Sequence, residues 1–442
     1  MTWRTGAAAV AALSVIPLGL GAQAAQAADP VGTVSFGNPA GTYAVAVQPG
    51  RISYSVAERS QESPKEFDVI TRTMSAAGGK LTYGAEQTIF RDTSYAALSG
   101  SAGWLQYAGP HLRDSAGVIT KNGGSAPPQA SGNRVLLRWR VWDGSGGLNW
   151  SYPMIADLRT KQSAERPEDP ASLFGNYLAY AKADGSVRVK DLARNVEGVH
   201  RPAGSKIKAV AIHGKWLAWV TACTSADPCS QTLTIRDTAA KTQRTIGTRG
   251  TTSLKLSGGY LALDVRPTDA QRDVRTIKLG TTIAPVVVGT LPANEIIADP
   301  WDVADATPDQ FDLDDETLAW TDKTFIGKAV RLAPFIDPPV YLGNVIAPAS
   351  MSTTWSLRLP VSKALPTCQV TFYYGSTKVR IMNCANVDGM VKATWDGKSG
   401  SGGKLAKGTY TYRVTGQDAD KYNLRNYNGT FTAVGGSITK TA

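Results

Sequence analysis

The residues of this sequence whose types and spacing point to chemistry are its cysteines and one run of aspartates. Cys223 and Cys229 bracket a short loop, and Cys368 and Cys384 lie at equal distances from a turn that begins at Gly375. Strands that leave a turn in this way place two such residues opposite each other, within reach of a disulfide. Four cysteines allow several pairings, and we expect the two local ones, Cys223–Cys229 and Cys368–Cys384.

A zinc site is the rival interpretation of the cysteines, because Cys and His are the usual ligands of structural zinc. The sequence has no Cys-x-x-Cys pair, and its three histidines are His111, His200 and His213. This spacing favours disulfides over a metal, and we expect neither a metal nor another cofactor. Disulfides persist in oxidising compartments, so the cysteines indicate an exported protein.

The segment from Glu295 to Glu316 holds seven aspartates and no lysine or arginine. Asp312, Asp314 and Asp315 offer the hard oxygen ligands that calcium prefers. The segment lacks the glycine and the final glutamate of the helix–loop–helix calcium motif. A calcium loop, a solvated acidic loop and a face that docks a basic partner are three interpretations of these residues.

The elements that must position these residues are predicted by a recurring phrase, Leu-Ala flanked by aromatic or polar residues, at 175–180, 214–219, 259–263 and 316–320. A strand-rich repeat of about 40–50 residues is typical of a β-propeller with one blade per repeat. The leucine and the aromatic two positions later share one strand face, and the alanine lies on the other, where a neighbouring blade packs closely. The predicted core residues are Leu178, Leu217, Leu261, Leu318, Tyr180, Trp219 and Trp320.

Degenerate copies extend this WD40-like repeat toward the N-terminus. The anchor positions of the seven units are Ile52, Leu105, Leu136, Leu178, Leu217, Leu261 and Leu318. Their spacing is uneven, and a propeller of about seven blades over residues 31–346 fits it best, with six and eight blades as alternatives. The opening segment, Gly32 to Val47, is predicted to complete the last blade and close the ring. The fold class is therefore all-β.

Catalytic signatures are weak. No serine lies in a Gly-x-Ser-x-Gly elbow, and histidine is too scarce to offer many general bases. The turn that begins at Asp143 and precedes Trp150 is similar to the Asp-box turn of sialidase propellers, but it lacks the Ser-x-Asp start. We interpret it as a hairpin turn and assign no catalytic residue. Because glycosidases need only two carboxylates, enzymatic activity is uncertain rather than excluded.

Residues 350–442 carry a strand pattern unlike the repeats. A Trp-Asp-Gly turn at Trp395 leads through a Gly-rich loop to the stretch from Gly408 to Tyr412, in which tyrosines alternate. This pattern resembles the immunoglobulin-like domain named after the flagellar hook-capping protein. The resemblance implies an immunoglobulin-like β-sandwich at the end of a secreted, often multidomain, bacterial protein, and it implies no activity. The predicted disulfide hairpin is an addition to that pattern.

Residues 1–27 are interpreted as a secretory signal peptide. Arg4 precedes an apolar run from Ala7 to Ala22, which is short for a membrane span, and small residues lead to a cleavage site after Ala27. No later stretch is apolar enough to span a membrane. We expect a secreted, extracellular protein, and its composition gives an actinomycete-like impression.

The formal net charge of +11 is dispersed along the chain, and no nucleic-acid-binding motif accompanies it. Such charge would concentrate a protein on anionic wall polymers, and it also serves solubility. We expect a non-catalytic binding or adaptor protein whose propeller face binds another exported protein or a cell-wall polysaccharide. The alternatives are an extracellular carbohydrate-active enzyme, a glycosidase or lyase, and a structural surface-layer protein. Two carboxylates about 5–10 Å apart in a central pocket would favour the enzyme.

Overall fold

A computed structural model of the chain describes residues 32–442 apart from internal stretches, the longest of which are 58–66, 122–128, 294–309 and 426–433. The predicted signal peptide, residues 1–27, lies outside the described residues. In the described part of the chain every regular element is a β-strand, as the sequence predicts. This part contains no helix that is long and apolar enough to cross a membrane.

Seven four-stranded antiparallel sheets follow one another along the chain as far as Arg331. The first strand, β1 (Val34–Phe36), belongs to the last of these sheets. The first three blades consist of β2 (Thr42–Gln48), β3 (Arg51–Ala57), β4 (Phe67–Ser75) and β5 (Thr82–Thr93), then β6 (Leu98–Ser101), β7 (Trp104–Tyr107), β8 (His111–Asp114) and β9 (Ile119–Lys121), then β10 (Gln129–Ser131), β11 (Arg134–Trp142), β12 (Leu148–Asp157) and β13 (Gln162–Glu165).

The remaining four blades are built in the same way, and each runs from its innermost strand to its outermost. They consist of β14 (Ala171–Phe174), β15 (Tyr177–Ala181), β16 (Val187–Asp191) and β17 (Val196–Arg201), then β18 (Ile207–His213), β19 (Trp216–Thr221), β20 (Ser230–Asp237) and β21 (Thr242–Arg249), then β22 (Leu254–Ser257), β23 (Tyr260–Thr268), β24 (Gln271–Lys278) and β25 (Val286–Leu291), and finally β26 (Phe311–Asp314), β27 (Thr317–Thr321), β28 (Gly327–Arg331) and β1.

The predicted propeller is confirmed. Every anchor position of the seven sequence units lies in the second strand of its blade, from Ile52 in β3 to Leu318 in β27. The uneven spacing of the anchors comes from connections of different length, whereas each blade keeps four strands. The prediction that the opening segment closes the ring is also confirmed, since β1 pairs antiparallel with β28 as the outermost strand of blade 7.

The opening segment is not one strand, however, because the extended backbone is interrupted between β1 and β2. Gly37 and Gly41 both have positive φ, which glycine adopts without steric cost. A Cβ atom at Gly37 would lie 2.2 Å from Oγ1 of Thr42. The segment therefore supplies the outermost strand of blade 7 first and the innermost strand of blade 1 second.

The Leu-Ala pair of the repeat forms the seams between blades. In four of the seams the alanine of one blade lies in the same hydrophobic cluster as the anchor residue of the next blade, and both side chains are fully buried. The pairs are Ala179–Leu217, Ala218–Leu261, Ala262–Leu318 and, across the closure, Ala319–Ile52. Close packing explains the repeat, because a residue larger than alanine would have to displace side chains of the buried cluster around it.

Aspartates end the third strands of blades 4 and 5 and organise the turns that follow. Oδ1 of Asp191 accepts hydrogen bonds from the N–H groups of Ala193 and Arg194, at 2.9 and 3.1 Å. Asn195 and, in the next blade, Lys241 complete these turns with positive φ. Such a turn matches the twist of the two strands it connects.

Replacing Asp237, the equivalent residue of blade 5, with alanine is expected to lower the free energy of unfolding by about 2 kcal/mol at neutral pH, since it removes hydrogen bonds to a charged group. Burial raises the pKa of the Asp237 carboxyl, but the N–H groups of Ala240 and Ala239 and the ammonium of Lys215 outweigh it, so the pKa lies below its ordinary value. A lowered pKa stabilises the fold above the unfolded-state pKa of about 3.9, and this contribution is lost as the pH falls through the folded-state value.

The difference between the wild type and Asp237→Ala should therefore shrink when urea denaturation is repeated at about pH 3 instead of about pH 7. Asp269→Ala is the matched control, because the Asp269 side chain is 82% exposed and its ion pair with Arg249 lies at the surface. A surface ion pair contributes about 0–1 kcal/mol. An Asp237 effect of the same size at both pH values would contradict the assignment.

The C-terminal residues form two sheets around one hydrophobic core. Their strands are β29 (Ser350–Met351), β30 (Trp355–Pro360), β31 (Thr367–Tyr374), β32 (Thr377–Asn383), β33 (Ala385–Val387), β34 (Met390–Trp395), β35 (Gly408–Gln417) and β36 (Val434–Lys440). The sheet orders are β29-β36-β35-β31-β32 and β30-β34-β33. Phe372 of the larger sheet stacks on Trp395 of the smaller one, with ring centroids 4.3 Å apart. The two sheets thus form a sandwich, and its immunoglobulin-like relationship stays a prediction.

Both predicted disulfides are present. Cys223–Cys229 closes the loop between β19 and β20, and Cys368–Cys384 joins β31 to the residue that follows β32. All four cysteines are paired in this way, so none is available as a zinc ligand. The N–H of Cys384 also donates to the carbonyl oxygen of Cys368 at 3.0 Å, as expected for residues at opposite positions of a hairpin.

Candidate functional site

The innermost strands of the blades surround a central channel, and side chains join them by hydrogen bonds across the seams. The N–H of Leu173 in blade 4 donates to Oε1 of Gln129 in blade 3 at 2.7 Å. Across the ring closure, the N–H of Val47 donates to Oδ2 of Asp312 at 2.8 Å. Because the innermost strands have no further strand on their inner side, these side chains satisfy backbone N–H groups that would otherwise be buried without a partner.

At the end of the innermost strands the channel holds a cavity of about 70 Å³. We call this end of the propeller the linker face. The polar residues that line the cavity are Gln129, Ser131, His213, Lys255, Ser257, Asp312, Asp314 and Ser362. Pockets for small molecules usually measure about 300–1,000 Å³, so the cavity is smaller than a sugar-binding pocket.

The linker between the propeller and the C-terminal sandwich covers this cavity. Leu342 is 2% exposed and belongs to a hydrophobic cluster with Phe174 and Ile212 of blades 4 and 5. The N–H of Leu342 donates to the carbonyl oxygen of Pro360, and the N–H of Ser362 donates to that of Val340, both at 2.8 Å. The linker is thus bound to the sandwich by backbone hydrogen bonds and to the propeller by a buried leucine.

The carboxylates in the cavity have structural partners. Asp312 and Asp314 lie two residues apart on β26 and therefore share a strand face. The Asp312 carboxylate accepts the hydrogen bond from Val47 across the ring closure, and its Oδ1 lies 3.9 Å from Nζ of Lys255. The sequence marked Asp312 as a possible calcium ligand, whereas the structure places it in the seam between blades 7 and 1.

The rest of the predicted acidic segment is described only in part. Asp315 and residues 294–309 lie outside the described residues. Within the described ranges, no group of three or more His, Cys, Asp or Glu side chains could hold a metal ion. Asp143 and its turn also lie outside the described residues, and the side chain of Trp150 is not described.

The opposite end of the propeller carries the turns 182–186, 266–270 and 322–326, the turn closed by Cys223 and Cys229, and the described connections between blades. We call this end the loop face. In blade 5 the Cys223–Cys229 disulfide closes one of these turns. The carbonyl oxygen of Cys229 accepts a hydrogen bond from the N–H of Gly250 at 3.1 Å. Oε1 of Gln231 accepts a hydrogen bond from the N–H of Thr251 at 2.6 Å, and Nε2 of Gln231 donates to the carbonyl oxygen of Thr251 at 3.2 Å. These contacts attach the disulfide loop to the connection that leads into blade 6.

A buried ion pair continues this network from blade 6 to blade 7. Nη2 of Arg272 lies 3.1 Å from Oδ2 of Asp264, and both side chains are buried. Asp264 also accepts hydrogen bonds from the N–H groups of Thr252 and Ser253, at 2.9 and 2.8 Å, and Arg272 donates to the side chain of Gln310 just before β26. A buried charge pair is tolerated when hydrogen bonds satisfy it in this way.

The surface of the loop face is mixed in charge. Its exposed residues include Lys206, Lys323, Asp184 and Asp269. Hydrogen bonds from Ser186 hold the pKa of the Asp184 carboxyl below its ordinary value. Together with the braced turns, these residues form a preorganised surface that carries both signs of charge.

A second concave surface lies on the C-terminal sandwich beside the Cys368–Cys384 disulfide. It is a groove of about 560 Å³. The groove is lined by Pro366, Thr367, Cys368, Gln369, Asn383, Cys384, Thr415, Gly416, Gln417 and Asn423. The sequence predicts the disulfide but not the groove, because the amides that line the groove come from four separate segments and share no motif.

No protein-family model and no curated protein sequence matches this chain. Among solved structures, a prolyl endopeptidase aligns with a TM-score of 0.40 and 16% identity over 73% of this chain, which covers 55% of that longer protein. The Pan2 WD40 domain of Neurospora crassa aligns with a TM-score of 0.38 and 11% identity over 70% of this chain and 96% of that domain. BamB of Moraxella catarrhalis aligns with a TM-score of 0.35 and 12% identity over 70% of this chain and 98% of BamB. Likenesses this distant carry no information about function.

Proposed function

We propose that this chain is an exported, non-catalytic adaptor that presents the loop face of its propeller to another exported protein. The observation that carries the proposal is that one end of the channel is covered and the turns at the other end are held in place. Leu342 and the sandwich cover the linker face, whereas a disulfide and buried polar contacts brace the turns of the loop face. Bracing supports binding because a surface that is already ordered loses little conformational entropy when a partner docks.

The mixed charge of the loop face favours a protein partner over an anionic wall polymer. Exposed lysines and aspartates such as Lys206 and Asp269 offer complementary contacts to a surface of mixed charge, and such pairs set orientation and association rate. The two disulfides and the predicted signal peptide support an extracellular location. A cell-wall polysaccharide remains the second partner class to test.

A glycosidase or lyase is less well supported. Such an enzyme needs two paired carboxylates, and the carboxylates among the described lining of the cavity are Asp312 and Asp314. Asp312 is buried and accepts a hydrogen bond from the backbone of blade 1, and the cavity of about 70 Å³ is far below the volume of a usual substrate pocket.

The proposal is tested by capture with a charge-reversed loop face. The protein starting at residue 28 is immobilised, exposed to culture supernatant of the producing organism and to wall fragments, and compared with Lys206→Glu/Lys323→Glu. Lys241→Glu/Lys407→Glu is the matched control, since these exposed lysines lie on a linker-face turn and on the sandwich. We expect one exported protein to be retained in stoichiometric amount by the wild type and the control, with about tenfold weaker binding to the loop-face variant.

Two results would overturn the proposal. Equal retention by all three proteins would move the binding surface away from the loop face. Turnover of a polysaccharide or ester substrate that is abolished by Asp314→Asn would establish the enzyme instead.

A further inference from the structure

The outer face of the larger C-terminal sheet is polar but almost free of charge. Along β31 the side chains alternate between the buried core and this outer face, as they do along β35. The residues that point outward are Thr367, Gln369, Thr371 and Tyr373 of β31, Thr409, Thr411, Arg413, Thr415 and Gln417 of β35, and Lys378, Ile381 and Asn383 of β32. Among the described residues of these three strands, the charged side chains on the face are Arg413, opposite Thr371, and Lys378, opposite Tyr373. The end of the face that carries Thr367 and Gln369 has neither of them, although the whole chain has a net charge of +11.

Amide and hydroxyl side chains form two rows across one end of this face. Gln369 is paired with Asn383 of β32 on one side and with Thr415 of β35 on the other. In the next row Thr367 is paired with Gln417. Side chains at directly opposite positions lie about 4.5–5.5 Å apart at Cβ, so each row places its polar groups within reach of one ligand.

The rows end in the groove of about 560 Å³ beside the disulfide. This volume falls within the usual range for ligand sites, about 300–1,000 Å³. The Cys368–Cys384 disulfide fixes the hairpin on one side of the groove, and on the other side Leu424 N–H donates to the carbonyl oxygen of Gly416 at 2.9 Å. The groove is therefore held open by covalent and backbone bonds, and not by its own polar side chains.

The polar side chains of the groove keep most of their hydrogen-bonding capacity for a ligand. Nε2 of Gln369 lies 3.5 Å from Oδ1 of Asn383, and Nε2 of Gln417 lies 3.1 Å from Oδ1 of Asn423. Each amide offers two donors and an acceptor with two lone pairs, so these two bonds use a small part of the total. Both pairs are exposed, and a ligand can replace the long Gln369–Asn383 contact at little cost.

We propose that this groove and the adjoining sheet face bind a neutral glycan chain. Sugar hydroxyls both donate and accept hydrogen bonds, as amides and threonine hydroxyls do. The absence of charged side chains from the described lining of the groove gives no attraction to an acidic polymer or to a charged protein surface. Tyr373 lies on the same face about 13 Å along β31 from Gln369, where an aromatic ring would contact a sugar further along the chain. The proposal concerns the sandwich and does not rest on the function proposed for the loop face.

The test is affinity electrophoresis of the protein starting at residue 28, in native gels that contain dextran, laminarin or arabinogalactan. Polygalacturonate serves as the acidic comparison. We expect at least one neutral polysaccharide to retard the wild type and Gln369→Ala/Gln417→Ala to weaken that apparent affinity at least about fivefold, since both glutamines hydrogen-bond the ligand. Gln87→Ala/Gln243→Ala is the matched control, because these glutamines are exposed on propeller strands, and we expect it to behave like the wild type.

Two kinds of result would contradict the proposed site. Retardation by none of the neutral polysaccharides, or by polygalacturonate alone, would show that the groove does not recognise neutral glycans. Retardation that persists in Gln369→Ala/Gln417→Ala would place any glycan site elsewhere. Thermal unfolding of the groove variant should match that of the wild type, and Gln369→Glu, which adds charge without removing volume, should weaken binding as well.

Discussion

Replacing Trp320 with alanine is expected to lower the free energy of unfolding by about 3–5 kcal/mol, the usual cost of deleting a buried tryptophan. Trp320 lies on β27 of blade 7 and is completely buried. It shares a hydrophobic cluster with Tyr260 and Val274 of blade 6 and with Leu318 of its own blade. The loss should be large because the indole fills the seam between two blades and no neighbouring side chain can replace its volume.

This indole packs closely against the backbone of Gly289 on the outermost strand of blade 6. A Cβ atom at Gly289 would lie 2.3 Å from Nε1 of Trp320, closer than any real contact, so Gly289→Ala should cost about 1–3 kcal/mol by overpacking. Residues in direct contact do not act additively. The double variant Trp320→Ala/Gly289→Ala should therefore be more stable than the sum of the two single changes predicts.

Urea denaturation followed by amide hydrogen exchange measures these effects separately for the propeller and the sandwich. Tyr374→Ala is the control for loss of an aromatic side chain, because Tyr374 is 50% exposed and its removal should cost far less than that of a fully buried tryptophan. Additive single effects at Trp320 and Gly289, or a Trp320→Ala effect no larger than that of Tyr374→Ala, would contradict the packing of this seam.

The propeller could be predicted from the sequence because its seams repeat. Four seams bury an alanine of one blade in the same cluster as the anchor residue of the next blade, so the Leu-Ala phrase returns in blades 4 to 7. The period of two along a strand identifies which side chains share a face. Trp320, Trp219 and Tyr180 were predicted as core residues on this basis, and all three are buried. Local pairing predicted the two disulfides for a similar reason, since both cysteines of each pair belong to one hairpin or one loop.

The candidate sites could not be predicted because they depend on contacts between distant segments. Leu342 looks like an ordinary linker residue in the sequence, yet it covers the end of the channel. Arg272 and Gln310 are far apart in the chain and meet at the seam between blades 6 and 7. The aspartates that cap turns are the exception, because Asp237 ends a strand of alternating polar and apolar residues, and this signal is local in the sequence.

Deleting the first strand, residues 32–37, is expected to destabilise the propeller more than any single substitution in β1. The strand supplies all of the backbone pairing on one side of β28, from Val34 opposite Ala329 to Phe36 opposite Gly327. Without it β28 becomes a free edge, and an exposed edge is a template for association with other chains. We expect a lower urea midpoint for the propeller and concentration-dependent self-association, measured by sedimentation.

Phe36 should account for much of this effect. It is 4% exposed and packs on Tyr54, with ring centroids 5.1 Å apart, and on Tyr83 at 6.0 Å. Phe36→Ala should therefore cost about 3–5 kcal/mol, whereas Val34→Ala, on the same strand but only partly buried, should cost about 1 kcal/mol. A Cβ atom at Gly327 would lie 2.3 Å from the Phe36 ring, so the ring occupies space that glycine leaves free.

The comparison of Phe36→Ala with the deletion separates the two contributions of β1. If side-chain packing alone closes the ring, Phe36→Ala and the deletion should lower the urea midpoint equally, and neither should self-associate. If backbone pairing contributes as well, the deletion should be the less stable of the two and should alone expose β28 to exchange and to association. We expect the second result, because backbone N–H and C=O groups that lose their partners at a sheet edge must find new ones in water or in another chain.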